Sequence, residues 1–154
     1  ICAVINNLNP AIDVIRANRG KLTLLGSQSL HTFKTVQLGQ ASSNGMVLVV
    51  PWYSTAIKGN SFTGTAAKLW GGEVNWRTAM AYDATQVIIA GLRQSNTRDR
   101  LQKVLSSPDF SVKGATESVK FLPSGDRNAE ASLITIEPGS ASGTGYDFVP
   151  LSSP

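Results

Sequence analysis

Leu22-Thr23-Leu24-Leu25-Gly26-Ser27-Gln28-Ser29, followed by Met46-Val47-Leu48-Val49-Val50-Pro51, frames the part of the chain whose reading decides the fold. Each stretch holds a short apolar run, and each run is closed by breakers: the polar Gly26–Ser29 loop in the first, Pro51 in the second. Runs of that length bounded by such residues read as strands. Between them, 31–40 reads as a helix, with Phe33, Val36 and Leu38 expected toward the core. Upstream, Ile1 to Ile5 is a further continuous apolar run. Asn9-Pro10 then opens a helix, with Asn9 as its cap and Pro10 at the first helical position, where a missing N–H costs nothing. Ile12, Val14 and Ile15 supply its apolar side, and Gly20 ends it. The order is β-α-β-α-β with short loops, which argues for a parallel sheet joined by crossover helices.

Downstream, three helices are expected. The first covers Ser61 to Trp70. The second and strongest covers Asn75 to Arg93, where Ala79, Met80, Ala84, Val87, Ile88 and Gly91 recur at helical spacing. The third covers Thr97 to Leu105, capped by Thr97, with Leu101, Val104 and Leu105 on its apolar side. From Phe110 to Phe121 the pattern turns to short β-type pieces around Gly114. Pro123-Ser124-Gly125-Asp126 is a turn signal. Leu133 to Ile136 alternates like a strand, Gly139 to Gly145 reads as a hairpin or linker, and Tyr146 to Val149 as a last strand. There is no internal repeat.

The chain has 154 residues, enough for one domain with its own core. With 42% hydrophobic and 16% charged residues it reads as globular. The net charge of +4 is spread from Arg16 to Lys103 without aromatic interleaving, which argues against a nucleic-acid footprint. The single cysteine, Cys2, cannot form an internal disulfide and says little about the compartment. No window reaches the ~20 apolar residues of a membrane span. Ile1 to Ile5 has no basic residue before it and is too short for a signal peptide. It reads as a strand end, so the chain is expected to begin in the middle of a fold, with any targeting signal on the part that precedes it.

Three segments together resemble the type I periplasmic-binding-protein superfamily, in particular substrate-binding proteins of branched-chain amino acid ABC transporters. They are Ala81-Tyr82-Asp83-Ala84 followed by Ile88-Ile89-Ala90-Gly91-Leu92; Asp99-Arg100-Leu101 to Leu105 ahead of Phe110 and Gly114; and Val119 to Arg127, close to the family's strand and Asn-Gly-Asp turn. Glu117 and Leu122 depart from the pattern, where glycine and aspartate are common. The resemblance covers the carboxy-terminal part of such a protein. It implies a three-layer α/β/α fold with a parallel sheet, truncated so that the amino-terminal part of lobe 1 is missing. Residues 1–51 would belong to the second lobe, 52–75 to a crossover region and helix, and 76–154 to helices and strands returning to the first lobe and hinge. The implied function is that of an extracytoplasmic solute-binding component, periplasmic or extracellular, free or membrane-anchored, that holds a small polar ligand (an amino acid, an amide or a related compound) between two lobes and docks on an ABC permease. The alternative is the ligand-sensing extracellular domain of a membrane receptor or kinase. No cofactor is implied, and a half-lobe is expected to expose apolar surface through which two copies associate.

Ligands of open α/β sheets sit outside the carboxyl ends of the strands. Asn6 and Asn7, and Ser27, Gln28 and Ser29, occupy such loops and carry small polar side chains suited to hydrogen-bonding a zwitterion. In amino-acid-binding relatives a loop like the second often carries a carboxylate that pairs with the ligand's ammonium; here Gln28 stands in the matching position and offers no ion pair. Trp52, with Tyr53, is a candidate cleft wall, against the alternative of hinge packing. Trp70, Trp76, Tyr82 and Asp83 are expected to be structural. His31 is the only histidine; Ser29 and Asp13 do not make a catalytic set with it in any nucleophile-elbow pattern, and no His/Cys cluster could ligate a metal. The Gly139–Gly145 run lacks the lysine of a phosphate loop.

Overall fold

The computed structural model describes residues 8–54, 61–72, 74–115 and 117–151; the run Ile1 to Ile5, with Cys2, lies outside the described residues. Helix α1 spans Leu8–Asn18 and buries Ala11, Ile12 and Ile15. It starts before Asn9, so Asn9 lies in the first turn instead of capping it, and Pro10 stays within that turn, where no intrahelical donor is lost. Val14, expected on the apolar face, is 38% exposed. The face is narrow, and position 14 falls about 100° from its centre.

Arg19 and Gly20, both at positive φ, end the helix. The Asn18 carboxamide then engages both backbone groups of Leu22, donating to its carbonyl at 2.9 Å and accepting from its N–H at 3.1 Å. Those groups are therefore taken from the ladder, and strand β1 covers Leu25–Ser27 in place of the predicted 22–25. Thr32 Oγ1 accepts from the Thr35 N–H at 3.3 Å. This cap sets the start of α2 (Phe33–Gly39), two residues later than predicted. Val36 is buried, whereas Phe33, the first helical residue, is 55% exposed and does not join the core. Strand β2 is Val47–Val50.

The chain divides into two compact units at Pro51/Trp52 and at Glu130/Ala131. In the first unit, β1 and β2 pair in parallel, with Leu25 opposite Val47 and Ser27 opposite Val49. Strand β5 (Ser132–Pro138) pairs antiparallel with β2, and β6 (Tyr146–Pro150) antiparallel with β5, in the order β1-β2-β5-β6. The described sheet is thus mixed: the predicted parallel β-α-β lies at β1–α2–β2, and the hairpin β5–β6 adds the antiparallel half. Strands β5 and β6, which follow the second unit in sequence, join the sheet of β1 and β2 because β5 pairs with β2. Alternation along the strands separates two faces. Leu48, Val50, Ile134 and Ile136 are fully buried, while Val49 and Leu133, paired on the opposite face, are nearly half exposed.

The second unit contains α3 (Ser61–Trp70), α4 (Trp76–Gln94), α5 (Arg98–Leu105) and a hairpin of β3 (Val112–Gly114) and β4 (Glu117–Val119). Asn75 Oδ1 caps α4 by accepting from the Arg77 and Thr78 N–H groups. Thr97 stands at the cap of α5 but makes no side-chain cap bond, so the capping role predicted for it is not realised. One stripe of α4, Ala79, Asp83, Val87 and Gly91, is buried at a spacing of four. Ala79 joins Trp52, Ala66, Val74 and Ala115 in one apolar cluster, and Val87 joins Phe110 and Val119 in another. Asp83 lies between the two. One of its oxygens accepts the Ala115 N–H, and the other accepts Arg127 Nη2 at 2.6 Å. A Cβ on Gly114 would stand 2.2 Å from Asp83 Oδ1, so the approach of β3 to this carboxylate requires glycine there.

Arg127→Leu takes the guanidinium away from Asp83, which is 2% exposed. Urea unfolding is expected to show a loss of about 3 kcal/mol; a loss below about 1 kcal/mol would show that the pair is not needed.

Candidate functional site

Because β1 and β2 run in parallel, their carboxyl ends share one edge of the sheet. Ser27, the last residue of β1, and Gln28 and Ser29 directly after it occupy that edge, the position where such sheets receive ligands. The local fold holds them tightly. Ser27 Oγ accepts from the Ser29 N–H at 3.4 Å, the Gln28 carbonyl accepts from the His31 N–H at 3.1 Å, and a short 3-10 turn spans Gln28–Leu30. Leu30 anchors the turn in the core, and all three polar side chains are half-buried. The strand enters the loop through Gly26, where an added Cβ would lie 2.6 Å from both Leu48 and Met46. Three polar side chains on a fixed turn can orient a small polar molecule by hydrogen bonds but supply no charge.

Asn6 and Asn7 lie outside the described residues. Trp52 is 3% exposed in the second unit, packed edge-to-face with Phe62 at 6.3 Å and among Ala66, Val74, Ala79 and Ala115. There it belongs to a buried apolar cluster, while Ser27, Gln28 and Ser29 belong to the first unit. His31 packs edge-to-face on Phe148 at 4.6 Å, and Asp13 is exposed on α1. No group of three or more metal-ligating side chains occurs among the described residues, and no described helix is long and apolar enough to cross a membrane.

The glycine-rich run 139–145 is the β5–β6 turn. Asp147 accepts from the Ala141 and Ser142 N–H groups at 2.8 and 2.7 Å, and these two backbone donors hold its carboxyl below the ordinary carboxylate value. Gly143 and Gly145 have positive φ, and a Cβ on Gly139 would strike the Asp147 carboxylate. These glycines serve a turn built around a protein carboxylate, not a phosphate.

The second unit also holds a cavity of 440 Å³ that no motif pointed to, between α3, α4 and β3. Its residues are scattered along the chain. The sequence signal was the adjacent pair Leu69-Trp70, two large apolar side chains that no single face of α3 can bury together.

No family model and no curated protein matches the chain. Solved structures do. A putative branched-chain amino acid ABC transporter protein from Rhodospirillum rubrum is 22% identical, with 94% of this chain and 42% of that one covered at a TM-score of 0.70. The leucine-binding protein LivK from Thermotoga maritima is 16% identical, with 97% and 42% covered at 0.74. A leucine-, isoleucine-, valine-, threonine- and alanine-binding protein from Brucella ovis, in a closed conformation, is 16% identical, with 94% and 40% covered at 0.76. The chain spans about two fifths of the length of these structures, and the likeness shows the fold the sequence resemblance implied.

Two outcomes are expected. Gly26→Val forces Leu48 and Met46 aside and lowers stability by about 1–3 kcal/mol in urea unfolding; an unchanged midpoint would mean that the strand yields freely. The native Asp147 carboxyl titrates lower than the unfolded one. Its stabilisation is therefore present above the ordinary carboxylate value and is lost as pH falls through the native pKa. Asp147→Asn should lower stability at neutral pH and flatten its fall on the acid side, whereas parallel pH profiles for the two proteins would contradict this.

Proposed function

We propose that this chain, which has the type I periplasmic-binding-protein fold, is part of an extracytoplasmic solute-binding component of an ABC importer. The ligand is a small polar molecule, an amino acid, an amide or a related compound, taken up between two lobes and delivered to a membrane permease. The observation that carries this reading is the Ser27-Gln28-Ser29 turn, fixed by the Ser27 Oγ and Gln28 carbonyl bonds at the carboxyl end of the parallel strand pair. A preformed turn spends little ordering entropy when ligand arrives, so a few hydrogen bonds suffice for affinity. Asn6 and Asn7 belong to the same proposed contact set. Such a role needs no acid–base chemistry, and the place of action is periplasmic or extracellular.

Gln28 sets the proposed preference. A carboxamide both donates and accepts but carries no charge. It favours an amide, hydroxyl or carbonyl over an ammonium, which gains most from a carboxylate. The test is thermal unfolding of the full-length protein with amino acids, amides, small carboxylates and urea. A ligand at a hundred times its dissociation constant adds about 2.7 kcal/mol of stability. Stabilisation by one compound class is expected, weakened about tenfold in affinity by Gln28→Ala and moved toward amine-bearing ligands by Gln28→Glu. If no compound stabilises the protein, or if Gln28→Ala changes nothing, the reading fails.

A further inference from the structure

The second unit exposes apolar side chains along α4, at Ile88, Ile89 and Leu92, which do not line the cavity, and at the end of α3, where two do. Leu69 is 73% exposed and Trp70 57% exposed at its carboxyl end, and both face the 440 Å³ cavity together with Phe62 and Thr65 from the same helix. Tyr82 of α4 closes one side, its ring 4.8 Å from that of Phe62 and tilted by 42°. Phe62 is itself buttressed from behind by Trp52, edge-to-face. Phe62, and through it the Tyr82 ring, is therefore held against the core. Lys113 of β3 lies at the rim, exposed and with no ion-pair partner among the described residues. Large apolar groups converging on a concavity mark a binding groove, and the volume falls in the range of small-molecule sites lined by aromatic residues with a few polar groups.

We propose that this cavity is a second ligand site, separate from the Ser27–Ser29 turn, and that it takes an aromatic monocarboxylate. The planar ring lies against Phe62, Trp70 and Tyr82, where offset or edge contacts between rings are favourable. The carboxylate meets the Lys113 ammonium, and Thr65 offers a hydroxyl. A cationic ligand would meet Lys113 as a like charge, and an aliphatic one would leave the aromatic wall without its matching partner. Everything required lies within residues 62–113, so the site forms without any contribution from the first unit.

The test uses the chain as it stands, titrated with phenylacetate, phenylacetamide and phenethylammonium and followed by amide and indole chemical shifts. Phenylacetate is expected to bind saturably at about 1 mM or tighter, with the largest shifts at Leu69, the Trp70 indole and Lys113. Both analogues should bind about fivefold more weakly, the scale of one exposed ion pair. Lys113→Gln, a surface change that leaves the fold intact, should make the acid and the amide equivalent, and Trp70→Ala should remove saturation. Equal binding of the three probes to the unaltered chain, shifts centred on Ser27–Ser29, or no saturation would each overturn the proposal.

Discussion

The Asp83 carboxylate is the point on which the second unit turns. A charge in the buried stripe of α4 costs more than any neighbouring apolar contact returns unless each oxygen finds a donor. The donors come from two places distant in sequence: the backbone N–H of Ala115 at the β3–β4 turn, and the guanidinium of Arg127 after the Phe121–Arg127 bridge. The carboxylate thereby fixes where the hairpin and the following turn sit against the helix. The apolar clusters on either side, one around Trp52 and Ala79, the other around Val87 and Phe110, fill in once that geometry is set. A leucine at 83 would set a methyl group against the Ala115 N–H and would satisfy neither donor.

This interaction also joins the three segments on which the resemblance rested. Tyr82-Asp83, Gly114 and Arg127 fall in three separate motifs, each weak by itself. In space they meet at one carboxylate: Asp83 supplies it, Gly114 makes room for it, and Ala115 and Arg127 satisfy it. Their order along the chain was legible, but their common purpose was not, since a pairing across 44 positions leaves no periodicity to read. Long helices were legible for the opposite reason: the period of α4 repeats over five turns. The boundaries that moved did so through side-chain bonds to the backbone, Asn18 to Leu22 and Thr32 to Thr35, which pattern matching does not weigh. The strand partners were hidden too. Leu133 to Ile136 read as a strand, but nothing local said that it would lie beside β2 instead of beside β4.

At the candidate site, the loop after β1 was found from one rule about strand ends and from its composition. What holds it is visible only in the structure: Gly26 against Leu48 and Met46, and the Ser27 Oγ bond. Trp52 shows the limit of that rule. An aromatic residue just past a strand is placed equally well for a cleft wall or for a core, and the arrival of α3, with Phe62 and Ala66, decided for the core.

The sheet of the first unit is assembled from two stretches, with the whole second unit spliced between them. Val50 of β2 lies opposite Ser132 of β5, about 80 positions later. During synthesis β2 therefore emerges with one edge open and waits for its neighbour until the intervening unit has been made. A disordered loop of that length costs entropy to close. A segment that condenses around Asp83 beforehand leaves less free chain to close and lowers that cost. The order of folding is thus written into the connectivity: the inserted unit first, the β2–β5 pairing second. A defect in the Asp83 contacts would then be felt as slow closure and a longer-lived exposed strand edge in the other unit, whose own residues are unchanged.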